Sequence, residues 1–303
     1  MTTGFTLPAP PKHSSHKEYV QVGTESKPIL PGFDTRELLW RGTPLRYAVG
    51  GAGAPLVLVH GLGGAAANWR LLAPGLARAH RVVLPDLPGH GGSAPLPATP
   101  HVDALADAVL AVLDAENALP ASWVGHSLGG LVALRAAVRR PEAVTGIVLA
   151  AAAGISSGSL EAKIALGATA VVQPGRLLAP FRARLARSRI GRAFAFAWWG
   201  AADPTALDPE AAEGFLAGPA EHTDTTASGR ALLVSDTRAG LESVGCPCLC
   251  LWGANDNWVP LADGYEYARR LRAPLRAIAG CGHLLIGERP DACLAMIEEF
   301  LAS

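Results

Sequence analysis

The stretch SWVGHSLGG, residues 122 to 130, sets a serine between glycines two places before and two places after it. A serine hydroxyl attacks a carbonyl only when a base takes its proton and a third group orients that base. A nucleophile on a tight turn between a strand and a helix needs neighbours with almost no side chain, and Gly125 and Gly129 provide them around Ser127. The same turn leaves the next amide, that of Leu128, at the start of a helix, where it can face an anion. With 34 glycines in 303 residues, chance alone yields such a pentad in about one chain in six. The rest of the chain decides its meaning.

Three further features supply what the serine requires. HGLGG (60 to 64) directly follows the apolar run LVLVH, so the amide of Leu62 is a natural second donor for a developing oxyanion. LWGANDNWVP places Asp256 just beyond a strand, as the orienting acid. LRAIAGCGHLLIGERP places His283 beyond the last strand, as the base. The resulting chain order is Ser, Asp, His, each at the carboxyl end of an expected strand. Other polar residues near these stretches read as structural: His60 pins its loop, Asp86 and His90 shape theirs, His126 packs, and Cys281 is a buried filler.

The elements that must hold these residues alternate along the chain. Strands are expected at 45–49, 56–60, 81–85, 122–126, 146–151, 248–252 and 275–279, several as continuous apolar runs of the kind buried on both faces. Helices are expected between them, at 68–79, 102–118 and 128–140, the last stopped by Pro141. Such alternation specifies an α/β fold with a doubly wound, mostly parallel sheet. Residues 1–33, rich in Pro, Ser, Lys and His, read as a loosely ordered arm; 34–153 and 236–303 form the core. The segment 154–235 lacks strands and reads as a helical cap, with arginines in its first half and acids in its second. The arginines are expected on a solvated face paired with those acids, with contact to a membrane surface as the alternative. Ile190, Phe194 and Trp198 fall at four-residue steps on one helix face, expected to pack the cap onto the core, with a pocket lining as the compatible alternative. With Trp69, Phe194 and Trp198 are the candidate pocket residues.

Composition narrows the classes. Lysine plus arginine and aspartate plus glutamate balance at 26 each, which argues against a nucleic-acid partner. No apolar run is long enough to span a bilayer, so no stable membrane insertion is expected. The first residues lack a basic start followed by an apolar block, so a cytoplasmic location is expected. Five cysteines include Cys246, Cys248 and Cys250 in alternation. That spacing suits buried thiols better than a metal, and no metal or cofactor is expected.

The motifs HGLGGAAANW, DLPGHGGS, GHSLGG, LWGANDNWVP and GCGHLLIGERP together resemble the landmarks of the α/β-hydrolase superfamily, over most of the chain from Asp34 onward. The resemblance implies an eight-stranded, mostly parallel sheet with a helical cap inserted after the sixth strand. It also implies Ser127 as nucleophile, Asp256 as acid, His283 as base, and the Leu62 and Leu128 amides as the oxyanion hole. Haloalkane dehalogenases and epoxide hydrolases of this superfamily carry aspartate where this chain has Ser127, so both are disfavoured. What remains is hydrolysis of a small-molecule acyl substrate, foremost a carboxylic ester, with lactones and thioesters next. Cleavage of carbon–carbon bonds in vinylogous diketones is the nearest rival, although the proline usual in the early loop of those enzymes is missing here. A cofactor-free perhydrolase and a ligand-binding receptor on the same scaffold are further alternatives. The physiological substrate and the oligomeric state are not encoded in any motif.

Overall fold

A computed structural model of the chain describes residues 19–24, 28–97, 101–156, 178–196, 200–221, 226–235, 238 and 240–303. A twisted sheet runs through the middle of the molecule. Its strands are β1 (Tyr19–Thr24), β2 (Asp34–Trp40), β3 (Thr43–Gly50), β4 (Ala54–Val59), β5 (His80–Pro85), β6 (Ala121–His126), β7 (Val144–Ala150), β8 (Cys248–Gly253) and β9 (Leu275–Ile278). They lie in the order β1-β2-β3-β5-β4-β6-β7-β8-β9. β1, β2 and β3 pair antiparallel with their neighbours, and every pairing from β5 to β9 is parallel. All seven strands expected from apolar runs are present.

The sheet has nine strands among the described residues where eight were expected. Relative to the seven apolar runs, the additional strands are β1 and β2, which apolar content does not announce. β1 lies at the edge with Val20 and Val22 exposed, and β2 (DTRELLW) mixes charges with the buried Leu38 and Trp40. Part of the arm expected to be loose is therefore paired into the sheet, and Leu30 and Phe33 are buried in the core. Counted on this sheet, the insertion follows the seventh strand.

Helices α1 (Val102–Ala115), α2 (Leu128–Arg139), α7 (Leu261–Leu271) and α8 (Pro290–Leu301) belong to the α/β alternation. The helix expected over 68–79 is reduced to a 3-10 turn at Ala66–Trp69 and one α turn at Ala73–Leu76. Pro74 has no amide to extend a longer helix, and Gly75 lets the turn press on Leu294. Between β7 and β8 the described residues form α3 (Arg182–Arg187), α4 (Arg189–Phe196), α5 (Pro209–Glu221) and α6 (Thr226–Val234). These helices bury a small apolar cluster of their own, including Ala186, Ala195, Phe196, Leu207, Ala211 and Leu216 together with Leu284. They rest on the loops that leave the sheet: Arg70 donates to the Glu210 carbonyl, and Gly287 lies against Phe215 and Ala211.

Two buried carboxylates tie helices to the sheet. Glu116, at the end of α1, accepts from Arg36, Arg81 and the Tyr47 hydroxyl at 2.7, 2.6 and 2.7 Å. One carboxylate thus fastens α1 to β2, β3 and β5, and burial beside it raises the Tyr47 phenol above its ordinary range. Asp263 on α7 accepts from the amide and hydroxyl of Ser156 at 2.9 and 2.8 Å, while Tyr267 donates to the Ala153 carbonyl. These bonds strap the exit of β7 to α7.

Removing the Glu116 carboxylate strands two arginines and a phenol. Because each arginine side chain keeps 30% of its exposure, the Glu116→Ala variant is expected to lose about 2–4 kcal/mol in urea unfolding, somewhat less than a fully buried pair. Asp263 gives a pH signature. Burial raises its pKa, so the folded chain holds this proton more tightly than the unfolded chain does. Stability from this group is therefore full at low pH and declines as pH rises through the carboxylate range, near about 4. Asn cannot ionise, yet its Oδ1 can accept both Ser156 bonds. The Tm of Asp263→Asn relative to the parent should therefore rise between about pH 3.5 and pH 7; a constant difference would remove Asp263 from this role.

Candidate active site

The parallel strands all discharge at one edge, and the chain reverses there. From β4 it crosses to β5 on one side, then returns past β4 to β6 and continues the other way to β7. The crevice outside a doubly wound sheet opens at such a reversal. The loops after β4 and β6 border it, and they carry Leu62 and Ser127.

Ser127 sits at φ +52° and ψ −116°, a conformation that non-glycine residues rarely adopt. The surrounding backbone holds it there. Its amide donates to Ala150 at 3.0 Å, and its carbonyl accepts from Gly130 and Ala153 at 3.0 and 3.1 Å. A Cβ at Gly125 would overlap the Gly129 carbonyl, and one at Gly129 would overlap the carbonyl oxygens of Val59 and His60. The first turn of α2 is thus in backbone contact with both β6 and β4, which only glycine allows. From Trp123 to Leu134 every residue except Ser127 is buried.

The loop after β4 touches this turn, since Gly61 leaves a Cβ only 3.0 Å from the Cβ of Ser127. Leu62 is the next residue. Leu128 is the first residue of α2, so its amide has no acceptor within the helix. His60 is fully buried and fixes the loop by two bonds: its Nε2 accepts from the Leu87 amide at 3.0 Å, so its Nδ1–H donates to the Gly61 carbonyl at 2.8 Å. Asp86 accepts from the amides of Ala66 and Gly92 at 2.7 and 3.0 Å. The expected structural roles of His60 and Asp86 match these contacts.

Asp256 and His283 meet across the loops after β8 and β9. His283 Nδ1 donates to Asp256 Oδ2 at 2.8 Å, with the carboxylate wholly buried. The other carboxylate oxygen accepts from the amides of Trp258 and Val259, both at 2.8 Å. Three donors from two loops fix the plane of the carboxylate, and that plane fixes the imidazole. With Nδ1 acting as donor, Nε2 is the basic nitrogen of the neutral ring. The Trp258 ring stacks on the imidazole, its centroid 6.1 Å away.

The backbone of His283 is held as firmly as its ring. Its amide donates to the Gly200 carbonyl at 2.5 Å, and its carbonyl accepts from His126 Nε2 at 2.8 Å. His126, one residue before Ser127, therefore connects the serine turn to the base loop as well as packing. Burial, followed by the charge of His283, lowers the pKa of His126 to about 3, so it remains a neutral donor. Glu288 is buried and accepts from the Gly282 amide at 3.1 Å and the Ala202 amide at 2.8 Å. Burial raises its pKa against these bonds. Glu288, Gly200 and the bonding role of His126 are not apparent from the motifs. Only Glu288 left a signal, as an acid in an apolar stretch five residues after the histidine. Cys281 is fully buried, its thiol pushed up to about 12 by desolvation.

The candidate pocket residues fare differently. Trp69 is fully buried in the core under the loop after β4. Phe194 is 65% exposed and Ile190 83% exposed, so their shared face points to solvent. The opposite face of α4 is buried through Arg192, Ala195 and Phe196. Small residues set this orientation: Gly191 brings α4 against the Leu185 backbone, where a side chain would clash. Trp198 lies outside the described residues. A cavity of about 270 Å³ lined by Ala137, Val144 and Cys246, among others, lies at the start of β7, away from Ser127.

This fold and the serine turn beside a His–Asp pair define an α/β hydrolase, and the comparison with known families agrees. The model of the alpha/beta hydrolase family matches residues 56–296, and the chain belongs to that family. It is 31% identical over 274 residues to a 2-hydroxymuconate semialdehyde hydrolase of Pseudomonas sp., covering 88% of this chain and 93% of that one. It is 33% identical over 270 residues to a pimeloyl-[acyl-carrier protein] methyl ester esterase of Aromatoleum aromaticum, covering 80% and 96%. Among solved structures it resembles an esterase from Rhodococcus sp. ECU1013, with a TM-score of 0.68, 26% identity and coverage of 89% and 98%.

Glu288 acts on the base only through backbone. In Glu288→Ala the Gly282 and Ala202 amides would lose the carboxylate oxygen they share, loosening the loop. The expected outcome is a fall in kcat of about ten- to a hundredfold with KM little changed, accompanied by a shift of the low-field proton resonance of the His283–Asp256 bond. An unchanged resonance and kcat would show that the clamp does not set the imidazole.

Proposed function

We propose that the protein is a serine hydrolase that cleaves a carboxylic ester through an acyl-enzyme on Ser127. The observation that carries this reading is the serine held at positive φ at the sheet edge, with a carboxylate-oriented imidazole bonded through its own backbone to the residue before that serine. His283 Nε2 takes the hydroxyl proton as Ser127 Oγ attacks the carbonyl carbon. The amides of Leu62 and Leu128 receive the oxyanion, each supplying on the order of 3 kcal/mol to the transition state. His283 then gives its proton to the departing alkoxide, the acyl group stays on Ser127, and a water activated by the same imidazole releases the acid. Asp256 keeps the ring in the working tautomer and stabilises it when charged. Lactones and thioesters pass through the same intermediates.

The relative named as a pimeloyl-[acyl-carrier protein] methyl ester esterase supports the ester assignment. The similarity to a 2-hydroxymuconate semialdehyde hydrolase over 93% of its length favours a second reading, hydrolysis of a carbon–carbon bond with the same serine, acid and base.

The p-nitrophenyl esters of two to eight carbons and a vinylogous diketone ring-fission product form the deciding panel. The expected result is turnover of the esters that falls by roughly 10³-fold or more in Ser127→Ala. Cleavage of the diketone without ester turnover would establish the second reading. Binding of either substrate without turnover would overturn both.

A further inference from the structure

Between Glu161 and Asp203 the chain contains no Asp or Glu, yet Arg182, Arg184, Arg187, Arg189 and Arg192 follow one another within that interval. The structure divides them. Arg192 is buried and donates to the carbonyls of Ala186 at 2.6 Å and Thr205 at 2.8 Å, locking α3, α4 and the chain leading to α5 into one body. Arg184, Arg187 and Arg189 are exposed. Among the described residues no ion pair joins them to an acid of the insertion, contrary to the expected pairing. Asp203 lies within electrostatic reach of Arg189, but its carboxylate is taken by the amide and hydroxyl of Thr205.

The same body exposes large apolar side chains. Ile190 is 83% exposed, Phe194 65% and Phe181 61%. From 181 to 196 the sequence FRARLARSRIGRAFAF holds only arginine, apolar residues, glycine and one serine. Arginine with protruding aliphatic and aromatic tips, and no acid among them, is the composition of helices that lie in an anionic headgroup region. Arginine suits that setting because its stem lies along acyl chains while its guanidinium reaches phosphate.

We propose that α3 and α4 form a docking surface for an anionic lipid bilayer, lying on it without spanning it. The surface lies close to the proposed base. Gly200, whose carbonyl accepts the His283 amide, lies six positions beyond Phe194. Six residues reach at most about 22 Å, so docking brings the crevice within that distance of the headgroups. The proposal does not depend on which bond is cleaved.

Sedimentation with phosphatidylcholine vesicles, with and without about one third phosphatidylglycerol, tests it. The full chain should bind the anionic vesicles at least tenfold more tightly, and high salt should weaken that binding. Ile190→Glu with Phe194→Glu, and separately Arg184→Glu with Arg187→Glu and Arg189→Glu, should each reduce binding about tenfold or more. Both variants should keep the parental Tm and the parental rate on a soluble ester, and Ser127→Ala should bind as the parent does. Equal affinity for neutral and anionic vesicles, no binding, or unaltered binding by the variants would overturn the proposal. So would a dimer dispersed by Ile190→Glu with Phe194→Glu, which would assign this face to a second copy of the chain.

Discussion

The contact on which the site rests is that of α2 with the backbones of β4 and β6 at Gly125 and Gly129. Neither position has room for a Cβ, because carbonyl oxygens of Gly129, Val59 and His60 occupy the space. The close approach leaves Ser127 in a sparsely populated conformation, at a cost on the order of 1–3 kcal/mol. Hydrogen bonds from Gly130 and Ala153 to its carbonyl, and from its amide to Ala150, hold it against that cost. The same proximity sets Gly61 against Ser127. The serine turn and the loop proposed to hold the oxyanion are therefore one packing unit, and neither can move alone.

The second half of the site is assembled by longer reach. His283 is oriented through its ring by Asp256 and through its backbone by Gly200 and His126, while Glu288 secures the residue before it. Gly200 and Ala202 belong to the insertion between β7 and β8, so the helical insertion is bonded directly to the proposed base. Rearrangement of that insertion would reach the imidazole through two hydrogen bonds.

Much of this was legible in the sequence. Seven strands are short runs rich in apolar residues, and burial on both faces is what the central ones among them are for, while β9 at the sheet edge is half exposed. Ser127, Asp256 and His283 were identifiable because each follows such a run in a loop punctuated by glycine or proline. β1 and β2 escaped notice because edge and half-exposed strands carry their signal in alternation, which Gln21, Arg36 and Glu37 blur. The buried face of α4 is not legible locally, because Ile190 and Phe194 define the apolar stripe by spacing, whereas Arg192, Ala195 and Phe196, with Gly191 against Leu185, form the side that packs. Trp69 lies in the right loop, but its ring is absorbed by the core.

By itself the sequence determined the fold class and the order of the chemical groups, because strand periodicity, turn residues and nucleophile flanks are local properties written within a few positions of each other. The tertiary structure alone decided that Asp256 and His283 meet, that His126 and Glu288 hold the His283 loop, and that α4 turns Ile190 and Phe194 outward while burying Phe196. Those outcomes depend on contacts between residues as many as 157 positions apart. Carbonyls and amides, which every residue carries, make most of them, so no residue type announces them.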